Sequence, residues 1–373
     1  MSQKSLNIIC FENPFPANYG GVIDVFFKIK AFHELGIKIH LHCFVYENED
    51  VSQELLAITE KIYFYRKIRN PFYLFSKIPF GVKSRFNINL LINLKENKFP
   101  ILFEGLQTTM VINFDNFENR KLFLRLHNLE NNYYSGLSNS EKNWPKKLLY
   151  FSESIKYKYY LKQINRFEKV FTLSKNENNF VIKHFNNALY VPVFQGNIPE
   201  ITLSEFGEYV LFQGDLRIAD NWNSLIFFIN IFKELKQINF KIASNFKKKN
   251  ILKIIDKHQN IEYVEIKNEE HFNEVLANAH INVMSSSQES GTKLKLINAL
   301  FKSRHCVINK NMIDDEKILK YCHVAVTESD FIKNIIYLNK QPFDNSKSRF
   351  NVISEVFDDK INAEKIIKSI FKK

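Results

Sequence analysis

Gly291, Thr292, Lys293 and Lys295 stand where a short apolar run gives way to a helical pattern. The surrounding segment, residues 280–308, reads HINVMSSSQESGTKLKLINALFKSRHCVIN. A run from His280 to Val283 ends in Ser285, Ser286 and Ser287, and the apolar residues Leu294, Leu296, Ile297 and Leu300 then recur at helical spacing. Cys306, Val307 and Ile308 close the unit as another strand. A glycine loop that opens a helix after a strand offers backbone N–H groups and the positive end of the helix dipole, which suits a phosphate. Lys293 and Lys295 add full charges, so the segment is a candidate site for a nucleoside diphosphate. The plain alternative is a crossover with solvated lysines.

Further segments of this kind lie earlier in the chain. The first strand runs into FENPFPANYGG, where Gly20 and Gly21 would let backbone approach a ligand at the start of a helix. The strand Leu122–Leu126 runs into RLHNLENNYY, which groups Arg125, His127, Asn128 and Glu130 at a strand's C-terminal edge. A histidine there can hydrogen-bond a sugar hydroxyl or a phosphate near neutral pH, or serve as a structural hydrogen-bonder. VLFQGDLRIADNWNSL ends a strand at Gly214, offers Asn221 or Asn223 as a helix cap, and carries Arg217 in a loop, free to reach a diphosphate. The sequence holds no DxD, HExxH, GxSxG or Walker motif, which argues against metal hydrolases, serine esterases and P-loop NTPases. No metal ligand is expected.

Elements of regular spacing must hold these residues. Apolar runs at Leu6–Cys10, Ile37–Val45, Lys61–Tyr65, Ile101–Glu104, Leu122–His127, Val170–Ser174 and Leu189–Val193 alternate with helical patterns. Tyr209–Gln213, Phe240–Ala243, Ile261–Ile266, Ile281–Ser285, Cys306–Asn309 and Val324–Thr327 repeat the alternation. This is the signature of α/β folding on parallel sheets. Between 194 and 207 the periodicity lapses around Gly196, Pro199 and Gly207, which predicts an inter-domain linker. The expected organisation is a first domain over 1–193, the linker 194–207, a second domain over 208–348, and a C-terminal helix over 349–373 that returns to the first domain. Two such halves would face each other across a cleft lined by the C-terminal ends of their strands.

The bulk composition agrees with a two-domain globular chain: 373 residues, 45% hydrophobic and 25% charged. Four scattered cysteines without a CxxC pair suit free thiols in a reducing compartment. The start shows no long apolar h-region, and no apolar run approaches the length of a spanning helix, so a cytoplasmic location is expected. The net charge is +12, carried mostly by lysine and spread along the chain. The stretch KKLLYFSESIKYKYYLKQINRFEKV mixes lysines with Tyr and Phe. It suits peripheral contact with an anionic membrane, on the inner face of the plasma membrane, or else an ordinary amphipathic helix with a solvated basic face.

The GG loop, RLHNLENNYY, TLSKNEN after Val170, and GTKLKLINALFKSRHCVI occur in an order that resembles the retaining GT-B glycosyltransferases of family 4, the group 1 transferases. The HN-x-E-xx-YY form looks especially like bacterial enzymes of surface-polysaccharide assembly. The resemblance implies two Rossmann-like domains with parallel sheets facing a central cleft, and a nucleotide sugar held mainly by the second. It would bring Gly20 and Gly21 to the donor phosphate or the acceptor and His127 against the transferring sugar. Arg217 would be the counterpart of a phosphate-binding basic residue, and Gly291, Thr292, Lys293 and Lys295 would hold the diphosphate. Glu289 would be the acidic residue facing the transferred sugar, and Arg125, Asn128 and Glu130 would lie on the acceptor side. Three departures stand out: Asn298 replaces a glutamate that binds the donor ribose, Ser303-Arg304-His305 replaces a G-x-P turn, and Ala219, Asp220 and Asn221 occupy the place of a second basic residue.

The expected activity is metal-independent transfer, with retention, of a sugar from a nucleoside diphosphate donor to a glycan or lipid-linked glycan acceptor. Capsule, exopolysaccharide or lipopolysaccharide assembly is the expected setting. No cofactor is implied beyond the donor itself. The alternatives are a non-catalytic GT-B-like protein that binds a glycan or a partner, and a nucleic-acid-binding protein. No reader motif supports the last, so nucleic acid is not an expected partner.

Overall fold

A computed structural model describes residues 4–47, 50–246, 249–288, 292–344 and 347–372. The chain divides into two compact units: Met1–Ser135 with Leu148–Asn197 and Phe357–Lys373, and Gly136–Lys147 with Ile198–Val356.

The first unit is built on a seven-stranded parallel sheet of β1 (Ser5–Cys10), β2 (Lys38–Val45), β3 (Lys61–Arg66), β4 (Ile101–Glu104), β5 (Leu122–Leu126), β6 (Lys169–Thr172) and β7 (Ala188–Tyr190). Their spatial order is β3-β2-β1-β4-β5-β6-β7. β4 and β5 are buried along their whole length, which is why they read as unbroken apolar runs: helices cover both faces of a parallel sheet. Alternate residues feed two cores. Ile9, Phe103 and Leu124 point into one, and Ile8, Leu102 and Phe123 into the other. The second core is closed by the helix Gly20–Glu34 through Val25, Ile29 and Phe32, and by the helix Asp359–Phe371 through Ala363, Ile366 and Ile370.

The second unit carries a six-stranded parallel sheet of β8 (Tyr209–Gln213), β9 (Phe240–Ser244), β10 (Ile261–Glu265), β11 (Ala279–Met284), β12 (His305–Ile308) and β13 (His323–Val324). The order β10-β9-β8-β11-β12-β13 repeats the first sheet's pattern. In each sheet the strand order reverses beside the first strand, at β1/β4 and at β8/β11, and ligands of open α/β sheets bind outside such points. Each sheet thus has the Rossmann-like organisation expected from the alternating runs.

Two details depart from expectation. Residues 349–373 do not form one helix but two, Lys347–Val356 and Asp359–Phe371. The second starts afresh because the Asp358 side chain accepts from Ile361 N–H at 2.7 Å, while the Asp359 carboxylate turns away to the N–H groups of Gln195 and Gly196. The start of the expected linker is also not loose: Phe194 is wholly buried and the first unit extends to Asn197.

Candidate functional site

In the first unit the expected residues meet at the C-terminal ends of β4 and β5. Arg125 pairs in register with Glu104 and lies on the same face of β5 as Phe123, under the helix Gly20–Glu34. Its guanidinium is therefore fully buried. It donates to both Asp24 oxygens at 3.1 and 2.7 Å and to the carbonyls of Val191 and Pro192 at 2.6 and 2.9 Å. This corrects its expected acceptor-side role: four of its five N–H groups are bonded inside the fold and the side chain has no exposure. Lys28, one helical turn after Asp24, donates to Asp24 Oδ2 and Glu104 Oε2, each at 2.9 Å. Burial alone would raise the Asp24 carboxyl, but the charges of Arg125 and Lys28 hold it well below the usual carboxylate range. Two carboxylates and two cations compensate one another with no exposure to water. Such a cluster is rigid, and losing one member is costly because the other charge stays buried.

His127 completes the cluster. It is 8% exposed, and its Nε2 is 3.0 Å from Glu104 Oε2, with the Phe11 ring edge-on at 5.4 Å. If Nε2 carries the proton given to Glu104, Nδ1 is left as an acceptor. Gly105, at φ +78°, turns the chain directly after Glu104, and only glycine takes that backbone conformation without strain. The ligand-bearing atoms of Asp24, Glu104 and His127 all lie within 4.8 Å of one another, as a metal would need. The residues nevertheless do not fit a divalent cation, because the Lys28 ammonium already sits on both carboxylates.

Glu130 opens the helix Glu130–Ser140 and is buried, accepting from Gln107 Nε2 at 3.0 Å. Burial, and then the charge of Glu177, push its carboxyl up to about 8, so it is neutral at pH 7. Expected as an acceptor-side residue, it is a buried acid. Asn128 beside it is half-buried. Gly20 and Gly21 are the first residues of the helix Gly20–Glu34, whose N-terminus has no side-chain cap. A Cβ on Gly21 would meet the Phe11 ring at 2.8 Å.

In the second unit, β8 ends at Gln213 and Gly214, and the helix Leu294–Lys302 begins without a side-chain cap. Lys295 lies in its first turn. Its ammonium donates to Asn221 Oδ1 at 2.9 Å and stands 5.8 Å from the centre of the Phe212 ring. Burial lowers it to about 8, against the pull of Asp220. Gln213 Nε2 donates to the Lys295 carbonyl at 3.2 Å, which ties the helix start to the strand end. A side chain at Gly214 would press on Asn221 at 3.1 Å. Thr292, Lys293 and Asn298 are half-buried around this helix start. Glu289 and Gly291 lie outside the described residues. Arg217 departs from expectation. It is not free in its loop but clasps Asp215 through Nε and Nη2, with Nη2–Oδ2 at 2.7 Å, and lies on the Phe246 ring at 3.7 Å.

Sequence reasoning missed the residues that brace these groups. Asp24 and Lys28 sit four apart on an otherwise apolar helix face, and Glu104 ends an apolar strand. Charges at core positions were the available signal. Asp220, at the start of the helix Ala219–Glu234, accepts from Ser286 Oγ at 2.7 Å and Ser287 N–H at 2.8 Å. It thereby fixes the serine loop after β11. That loop, with Asp220, Ser224 and Asn309, lines a cavity of about 500 Å³, a size that suits a small-molecule ligand.

No family model matches the chain. A 44.6 kDa protein in a cps region of Klebsiella pneumoniae, itself uncharacterized, is 26% identical over 98% of both chains. Among solved structures, a mutant of S. aureus TarM in complex with Fondaparinux, alpha-GlcNAc-glycerol and UDP superposes with a TM-score of 0.64 at 13% identity, over 99% of this chain and 100% of that one. The pneumococcal O-GlcNAc transferase GtfA in complex with UDP and GlcNAc superposes with a TM-score of 0.61 at 13% identity, over 99% of each chain. The fold is therefore the two-sheet α/β fold of the GT-B glycosyltransferases.

Proposed function

We propose that this protein is a glycosyltransferase of the GT4 type. It moves a sugar from a nucleoside diphosphate donor to a glycan or lipid-linked glycan acceptor, with retention and without a metal ion. The reading rests on the Lys295 ammonium, desolvated beside an uncapped helix start and the glycine that ends β8. A half-buried cation that donates to a neutral amide and is only drawn from a distance by Asp220 is under-compensated, and a diphosphate supplies the missing charge. The likeness to UDP-bound transferases and the similarity to a protein of a cps region point the same way, toward capsule or related polysaccharide assembly.

In this reading the acceptor hydroxyl oxygen bonds the anomeric carbon on the face the diphosphate leaves, the sugar–phosphate bond breaks with its electron pair going to the diphosphate, and the hydroxyl proton passes to that diphosphate. Lys295 and the backbone N–H groups at the helix start hold the charge that develops there. Thr292 and Lys293 extend the same cradle and Asn298 hydrogen-bonds donor hydroxyls, while the roles of Gly291 and Glu289 rest on the sequence resemblance alone. His127, locked by Glu104, contacts the sugar or the acceptor hydroxyl through its remaining nitrogen, while Asn128 serves the acceptor side. Arg217 reaches the diphosphate only by leaving Asp215. Gly20 and Gly21 offer a second helix start to an anionic part of donor or acceptor. Thermal-shift screening against UDP, GDP, ADP and CMP sugars, followed by donor hydrolysis, tests the proposal. A nucleotide sugar that raises the melting temperature and is turned over supports it. No shift with any donor overturns it, and a shift without turnover in the presence of glycan acceptors leaves a binding protein.

A further inference from the structure

The positive charge is not spread along the chain, as its composition suggests. Residues 66–85 hold six basic residues and no acidic one. Residues 142–166 hold seven basic residues and the single acid Glu153. Together these two segments carry a net charge equal to that of the whole molecule, +12.

The same segments expose apolar side chains. In the helix Trp144–Tyr160, Glu153, Tyr157 and Tyr160 are buried. At about 100° per residue, Leu148, Phe151, Ile155 and Tyr159 fall within one narrow stripe on the opposite side. Their exposures are 56%, 55%, 42% and 71%. Lys158, exposed, projects beside that stripe. On its other flank Lys156 donates to the Leu74 carbonyl at 2.6 Å and to Glu153 at 2.7 Å, while Glu153 also accepts from Phe80 N–H at 2.8 Å. These bonds fasten the Pro71–Phe75 turn to the helix and consume its only acid. Phe72 and Phe75 of that turn are 78% and 87% exposed. Arg66, Arg69 and Lys77 are exposed around them.

We infer that this surface of the first unit is a docking face for an anionic lipid bilayer: Phe72, Phe75, Leu148, Phe151, Ile155 and Tyr159 enter the headgroup boundary and the surrounding lysines and arginines bind the anionic headgroups. Interfacial binding combines apolar burial with attraction of basic side chains to anionic lipid, and both ingredients coincide here. The charge complementarity commits the face to anionic lipid. Among the described residues no helix is long and apolar enough to cross a membrane, so the contact is peripheral.

The inference goes beyond glycosyl transfer and does not rest on it, since vesicle binding is read without turnover. The test is flotation of the full chain with vesicles of phosphatidylglycerol and phosphatidylcholine in equal parts, against phosphatidylcholine alone. The parent should partition at least about tenfold more strongly to the anionic vesicles, and less so as salt is raised. The pairs F72S with F75S, and F151S with I155S, should each lower that partitioning about tenfold or more at unchanged melting temperature. A control pair on the exposed surface of the second unit, V326S with Y337S, should bind like the parent. Absence of binding to anionic vesicles overturns the inference and leaves the face to a protein partner. Equal binding to both vesicle types, or parent-like binding by both patch variants, overturns it as well.

Discussion

The two sheet ends use charge in opposite ways. At the ends of β4 and β5, Asp24, Lys28, Glu104 and Arg125 neutralise one another entirely inside the protein. At the end of β8, Lys295 is desolvated with an amide as its partner, and among the described residues no carboxylate is in contact with it. A compensated cluster fixes geometry but has no affinity left for an ion. An under-compensated cation has affinity left over. The first arrangement therefore holds His127 still, and the second is the one that in the proposed function meets the diphosphate.

Breaking the compensated cluster should have the largest effect. R125M should lower folding stability by about 3–5 kcal/mol, read from denaturant unfolding, because Asp24 is left charged and buried. A loss under about 1 kcal/mol would mean that the cluster is already hydrated. H127A should melt close to the parent yet transfer sugar about 100-fold more slowly, with nucleoside diphosphate affinity nearly unchanged. Parent-like transfer by the folded variant would make His127 purely structural. K295A should reverse that pattern, weakening nucleoside diphosphate binding by about 1.5–3 kcal/mol in calorimetry while the melting temperature holds. Unchanged affinity would return Lys295 to the surface-lysine reading.

Smaller effects sharpen the same contrast. As pH rises through about 8, Lys295 loses its proton, so affinity for nucleoside diphosphate should fall, and K295A should abolish that dependence. Glu130 works in the other direction on stability. Its folded carboxyl, raised to about 8, keeps a proton that the unfolded chain releases near 4.3. The stability that this group contributes is fully present below that value and is lost as pH rises through about 8. E130Q should flatten this slope in pH-dependent melting curves. Chelation should have the smallest effect: turnover in EDTA should match turnover with added Mg²⁺ or Mn²⁺. Loss of transfer in EDTA, restored by either ion, would overturn the metal-free reading.

The strands were legible because parallel strands buried on both faces announce themselves as apolar runs, as Ile101–Glu104 and Leu122–Leu126 did. The partners of polar side chains were not, because they come from distant parts of the chain. Arg125 was placed at a strand end on the acceptor side, yet it bonds carbonyls at Val191 and Pro192 and a carboxylate at Asp24. Arg217 was placed correctly in a loop, but its hold on Asp215, two residues earlier, depends on side-chain conformation that spacing does not carry. Glu130 was legible as a residue of the cluster and not as a neutral acid, since its proton depends on burial beside Glu177.

The return of the last helix sets an order along the chain. Ala363, Ile366 and Ile370 complete the core against Val25, Ile29 and Phe32, and Asp359 fastens the chain at Gln195 and Gly196. In the chain every strand of the second sheet comes before this cover of the first. The helix Gly20–Glu34, which carries Asp24 and Lys28, is thus covered by a segment more than 300 residues away in the chain. A chain cut between residues 356 and 359 keeps every residue of the second unit and loses the helix that covers the first.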